Sequence, residues 1–206
     1  LAYPCTQQKD HSFEGPLSVS HIVADVNPLV NQLDSVKVED ETFTCTLDKA
    51  SSILFDPVIS KGITRFEVLN VRKLQAVGIA DVSVKYKTEQ SPESGGWDKL
   101  VEYYWMGDIK HVGDWITSNV EFKTGDRVTM ELNMETIPRS LTFFVNFVEQ
   151  PLYIVNLPAA VRFWAYLLSK EECFRIIDFG RLLVPRARHG KTSCALDWGK
   201  RWKKKY

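Results

Sequence analysis

The sequence predicts an all-β protein built as a two-sheet antiparallel β-sandwich, and three observations predict it. Val128, Met130, Leu132 and Met134 alternate without error against Arg127, Thr129, Glu131 and Asn133. That is the period of a strand with one buried and one solvated face. After a turn at 135–139, Leu141, Phe143 and Val145 resume the alternation against Thr142, Phe144 and Asn146, so the pair reads as a hairpin. Further short β-rich runs recur from residue 36 onward at spacings of about 8–12 residues, with turn residues between them and little helix.

Taken in order, residues 1–35 form a weakly periodic N-terminal extension, in which 20–33 reads as a short helix broken at Asn27-Pro28. Phe43, Cys45 and Leu47 alternate, and Ile53, Leu54 and Phe55 form an apolar run stopped by Asp56-Pro57. Residues 63–71 are β-rich, with Phe66 and Val68 on one face, and 77–80 are short and apolar. Pro92 and Gly95-Gly96 make 87–96 a loop. Residues 101–106 and 111–117 flank a turn at Gly107-Asp108, and 151–155, 161–168 and 174–179 complete roughly ten to twelve strands. No internal repeat is present, which argues against a propeller.

At 206 residues, 44 % hydrophobic and 12 % aromatic, the chain can fill a substantial core. No run approaches the ~18 apolar residues of a membrane helix. Cys5, Cys45, Cys173 and Cys194 are dispersed, without a C-x-x-C, and predict four reduced thiols in a cytoplasmic protein. A missing start Met suggests a segment of a larger multidomain protein. The balance of 26 basic and 26 acidic residues hides a split, because 185–206 hold eight of the former and one of the latter. An acidic body therefore carries a basic tail, which also suits a nuclear address.

Several segments, taken in order over residues 36–182, resemble the SPRY family. The stretch 52–62 followed by Phe66-Glu67-Val68 looks like the family's opening turn and aromatic-Glu-Val strand. Val77-Gly78-Ile79-Ala80 looks like its glycine-containing strand, and 104–110 resemble its aromatic strand and Gly turn. The closest match runs from Gly125-Asp126 to Phe143-Phe144-Val145-Asn146, where Phe147 stands in place of the usual Gly. Leu157-Pro158 resembles its approach to a late core strand. The resemblance implies a β-sandwich of concanavalin-like type that grips a peptide or protein with loops at one end and performs no chemistry. Residues 183–206 then form a basic aromatic tail.

Catalytic signals are weak. Asp178-Phe179-Gly180 has the form of a kinase magnesium element, but no catalytic loop precedes it, so it reads as a last strand ending at glycine. His11, His21, His111 and His189 are scattered, so no metal site and no cofactor are expected. Acid pairs such as Glu171-Glu172 leave a carbohydrate-binding or carbohydrate-active sandwich as the alternative. Aromatics offer the contact residues: Trp97, Tyr103, Trp105, Trp164 and Tyr166 on the body, and Trp198, Trp202 and Tyr206 on the tail. Those three recur at i, i+4 and i+8, which a helix would place in one stripe. Docking of the tail on the acidic body, or a solvated linker to a further domain, is favoured, and a tail that binds an anionic partner, membrane or nucleic acid, stands as a further alternative. Candidate binding loops are 87–98, 106–111, 135–139, 147–151 and 169–172.

Overall fold

A computed structural model describes residues 22–23, 27–29 and 34–202. Strands, in chain order, are β1 (Ile22–Val23), β2 (Asn27–Pro28), β3 (Val36–Glu39), β4 (Thr42–Cys45), β5 (Ser51–Asp56), β6 (Ile63–Arg72), β7 (Ala76–Asp81), β8 (Leu100–Tyr104) and β9 (Asp108–His111). They continue as β10 (Asp114–Thr117), β11 (Arg127–Asn133), β12 (Ser140–Val145), β13 (Val148–Glu149), β14 (Leu152–Val155), β15 (Val161–Leu167), β16 (Cys173–Leu182) and β17 (Cys194–Asp197). One sheet has the order β17-β14-β12-β11-β6-β16-β4-β3, with β1 on β16 and β13 on β12. The other has the order β10-β9-β8-β7-β15-β5-β2. All pairs are antiparallel except β14 with β17.

The predicted hairpin forms in register, with Met130 opposite Phe143 and Leu132 opposite Leu141. Its inward residues join Phe66 and Val68 of β6 and face Ile53, Phe55, Val77, Ile79, Tyr103 and Phe163 from the second sheet. Phenylalanines tie the layers together: Phe66 lies 5.2 Å from Phe55, 5.1 Å from Phe163 and 5.9 Å from Phe179, and Phe43 stacks on Phe174 at 4.8 Å.

Several expectations are corrected. The residues of 22–23 and 27–28 are strands paired with β16 and β5, not a helix, because unpaired sheet edges receive them; the rest of 20–33, like Cys5, His11 and His21, lies outside the described residues. Residues 108–117 are two strands, since Val112 and Gly113 both adopt positive φ and turn the chain. Asp178-Phe179-Gly180 lies inside β16, which runs on to Leu182 after a register shift between Ile176 and Asp178. Strands are also more numerous than expected: β1, β2 and β13 are two residues long and leave no periodicity to read, 108–117 split into two, and β17 lies in the segment read as tail. At the β12–β13 turn, Asn146 and Phe147 adopt φ of 48° and 69°, so Phe147 stands in the left-handed conformation that favours glycine.

The outer faces are not wet. Thr129, Glu131 and Asn133 are buried along with their inward neighbours. Arg65 and Thr129 donate to Glu67, as does Arg127 at 2.9 Å. Burial pushes the Glu67 carboxyl up, but these donors and the Arg65 charge outweigh it and hold it below the ordinary range. Residues 183–191 then cross this face as a strap. On the second sheet, a smaller apolar layer of Leu54, Leu100, Trp164 and Tyr166 lies with Val84 and Tyr86.

Gly78 makes that layer possible. A Cβ there would stand 1.9 Å from the Val101 carbonyl oxygen and 3.0 Å from the Trp164 ring. Gly78→Ala is expected to cost about 3 kcal/mol or more in urea unfolding, the range of overpacking plus backbone displacement. Gly113→Ala, in open space at φ 76°, is expected to cost about 1 kcal/mol. Equal losses at the two sites would contradict the packing assigned to Trp164.

Candidate partner-binding cleft

The antiparallel connections sort the turns into two ends. The upper end carries 73–75, 105–107, 118–126, 146–147 and 168–172. The lower end carries 57–62, 82–99, 134–139 and 156–160. Candidate loops 147–151 and 169–172 thus lie at the upper end, and 87–98 and 135–139 at the lower. Of 106–111, only the turn at 106–107 is loop; the rest is β9.

A cavity of about 500 Å³ opens at the upper end among Asn70, Lys73–Gln75, Tyr104, Trp105, Phe122–Thr124, Leu168, Ser169 and Glu172. Its floor is core: Leu74 and Phe122 are 1 % exposed. Its walls are wired by buried polar groups. The Leu74 amide donates to Asn70 Oδ1 at 2.9 Å, and the Gly125 amide to the Asn70 carbonyl at 2.7 Å. Glu172, also buried, accepts from Gln75 Nε2 at 2.5 Å and from the Leu168 amide at 2.6 Å. The Trp105 amide donates to the Gln75 carbonyl and its own carbonyl accepts from the Phe122 amide, both at 2.9 Å. Four separate connections are thereby held to one another, with Trp105 half-buried and Leu168 exposed at the mouth.

The aromatic candidates separate by burial. Tyr103 and Trp164 are 0 % exposed and Tyr166 is buried, so their rings are packing and not free contact surface. Tyr103 faces the inter-sheet core, with its hydroxyl on the Val120 carbonyl at 2.5 Å; Trp164 fills the outer layer over Gly78. Trp97 packs half-buried on that same layer, at the lower end. Only Trp105 lies in the cleft. Lys73, Gln75 and Leu168 were missed by sequence reasoning, as they carry no motif; Lys73 adopts φ 51° in a three-residue turn that sequence had left unmarked. Tyr104 lines the cleft as well, with Lys110 over its ring at 3.9 Å.

The tail aromatics meet at the lower end. Trp198 and Trp202 are not on a helix; both pack against His111, at 4.8 and 5.2 Å, after β17 has paired with β14. Tyr206 lies outside the described residues. His111 is fully buried: its Nδ1–H donates to the Leu100 carbonyl at 2.7 Å and its Nε2 accepts from the Gly199 amide at 2.7 Å. Asp114 accepts from the Trp202 amide at 3.0 Å and faces Arg201 at 3.5 Å. Among the described residues no cluster of His, Cys, Asp or Glu could hold a metal, and no helix is long and apolar enough to cross a membrane.

No protein-family model and no curated protein matches the sequence. Solved structures do. The SPRY domain of human HERC1 superimposes with a TM-score of 0.59 at 18 % identity, over 74 % of this chain and 98 % of that one. A human SPRY domain gives 0.53 at 17 % identity, over 74 % and 96 %. The PSpry domain of TRIM65 gives 0.54 at 11 % identity, over 75 % and 92 %. The protein has the SPRY fold, as the ordered motifs of residues 36–182 implied.

Two measurements check this geometry. Asn70→Ala leaves the buried Leu74 amide without its acceptor and is expected to lower stability by about 2 kcal/mol, with faster amide exchange at 73–75. Protection unchanged at Leu74 would disprove the role of Asn70. Burial holds the His111 pKa below the ordinary value of about 6.5, against the opposing Leu100 bond and Asp98 charge. A depressed histidine contributes stability that is complete above that ordinary value and is lost as pH falls through the folded one. Acidification is therefore expected to loosen 198–202 and red-shift tryptophan emission, and His111→Leu to abolish the acid-dependent step. An identical acid response in the variant would refute the assignment.

Proposed function

We propose that this protein is a non-catalytic interaction module that holds a peptide segment of a partner protein in the upper cleft. The observation that carries this reading is the preorganisation of the cleft: an open cavity with an apolar floor, whose walls are fixed before any ligand arrives. Such a site loses little entropy on binding. Trp105 and Leu168 supply the apolar contact, and Lys73 at the rim suits a carboxylate beside the inserted side chain. SPRY domains as a class are interaction modules, which agrees with this assignment.

A carbohydrate-active site is disfavoured by the same geometry. Glu172 is the one carboxylate lining the cleft among the described residues, and both its oxygens already accept hydrogen bonds. Hydrolysis of a glycoside needs two carboxyl groups across a groove. In this reading the module works in the cytoplasm, or the nucleus, as one part of a larger protein, with no cofactor and no nucleic-acid or membrane partner at the cleft.

Selection from a random peptide display library with the intact chain tests the proposal. Selected peptides are expected to lose at least tenfold in affinity for Trp105→Ala and for Leu168→Asp. Circular dichroism and a cooperative unfolding transition would verify that each variant folds. If no selected peptide depends on either residue, the cleft is not the binding site.

A further inference from the structure

A second surface lies on the outer face of the first sheet, where the strap 183–191 crosses it. The main chain of the strap is turned inward. Amides of Arg186 and Ala187 donate to Glu131 at 3.0 to 3.1 Å, and those of Arg188 and His189 donate to Glu149 at 2.7 and 2.8 Å. The His189 ring stacks on Tyr153 at 3.7 Å. Two carboxylates thus anchor four consecutive amides, and the side chains alternate. Ala187 and His189 are half-buried, while Arg186 and Arg188 are exposed. Neither arginine side chain has an ion pair or hydrogen bond among the described residues, and the same holds for Arg181 and Lys191.

Beside the strap is a groove of about 310 Å³, walled by Ile137, Pro138, Tyr153, Val155 and Pro185. Ile137 is wholly exposed, and Leu183 and Val184, leading into the strap, are 71 % and 69 % exposed. Exposed aliphatic groups rimmed by charged side chains have the composition of an interaction surface.

We propose that this face is an interface for an acidic segment of a partner protein. That segment lays carboxylates along Arg186 and Arg188 and an apolar side chain against Ile137 and Tyr153. Burial alternates along the strap, so both arginines face solvent on the same side, and they suit carboxylates at alternate positions of an extended peptide, which lie about 7 Å apart on one side. The planar guanidinium suits bidentate capture of a carboxylate. Apolar walls and the anchoring carboxylates Glu131 and Glu149 disfavour a polyphosphate strand on the same path.

The same display selection, with binders sorted by dependence, tests this apart from the cleft. Binders expected here lose at least tenfold with the double change Arg186→Glu and Arg188→Glu, lose similarly with Ile137→Asp, and are indifferent to Trp105→Ala. Their shared pattern is Asp or Glu at alternate positions around an aliphatic residue. All three substituted side chains are exposed, so the fold is retained, and Ile137→Asp leaves the strap itself untouched. No binder dependent on these residues, or dependent binders without acidic residues, would overturn the proposal. Phosphatidylserine vesicles and a single-stranded oligonucleotide form the other arms. Binding of either probe to the intact chain, lost on the double arginine change while no acidic peptide binds, would reassign the arginines and overturn it too. Because the two classes of binder depend on different residues, failure here leaves the cleft standing, and failure at the cleft leaves this face standing.

Discussion

The contact of Phe66 with Phe55, Phe163 and Phe179 holds the two sheets at their working separation, and the rest of the molecule depends on it. Edge-to-face and offset ring pairs add about 0.5–1.5 kcal/mol each beyond the area they bury. More important is where they sit: Phe66 and Phe179 belong to the first sheet, Phe55 and Phe163 to the second. The same core continues upward through Tyr103 and Phe143 to Phe122, which floors the cleft. Rigidity at the recognition end is therefore an extension of core packing and owes little to the loops themselves.

A sandwich has two outer faces as well as an interior, and here both are covered. Polar groups cover one. Glu67 is 2 % exposed and receives Arg65, Arg127 and Thr129, while the strap amides occupy Glu131 and Glu149. Buried ion pairs of this kind add little net stability, because desolvation consumes most of the attraction, but breaking one partner is costly. They fix which segment lies where. An apolar layer covers the other face, where Tyr86 donates to the Pro92 carbonyl at 2.9 Å and Glu102 meets Lys110 at 3.2 Å. Burial raises the Glu102 carboxyl, and Lys110 only partly offsets it.

Much of this was legible. Alternation in 127–134 and 141–146 made both strands and their buried faces legible, while the register, with Met130 opposite Phe143, is set by the turn between them, because period two leaves every even shift open. The glycine at 78 and the aromatic turn before Gly107 were readable through the resemblance to the SPRY family rather than through periodicity. Covering of the outer faces was not. Thr129 and Glu131 look solvent-facing in sequence, and what buries Glu131 arrives from more than fifty residues away. Tyr103 and Trp105 share one parity, yet the strand ends at Tyr104, so one ring enters the core and the other turns into a cleft. That cleft is assembled from four connections distant in sequence, and no local pattern announces it. Tryptophans four apart fit a helix and a turn around His111 equally well until the histidine is known to lie between them.

Each sheet edge ends differently, and the ends govern how copies of the chain behave toward one another. β2 is two residues with a proline, β10 is four residues long, and β3 carries Lys37 and Glu39 paired at 2.7 Å in solvent. Short, charged or proline-bearing edges resist joining to a neighbour. The remaining edge is closed by β17, which hides Leu152, Tyr153, Ile154 and Val155 of β14. Tyr153, Ile154 and Val155 are strongly β-forming, and none of the four carries a charge. A chain shortened ahead of Cys194 would present them as an unpaired template, so its failure in solution would be aggregation through β14.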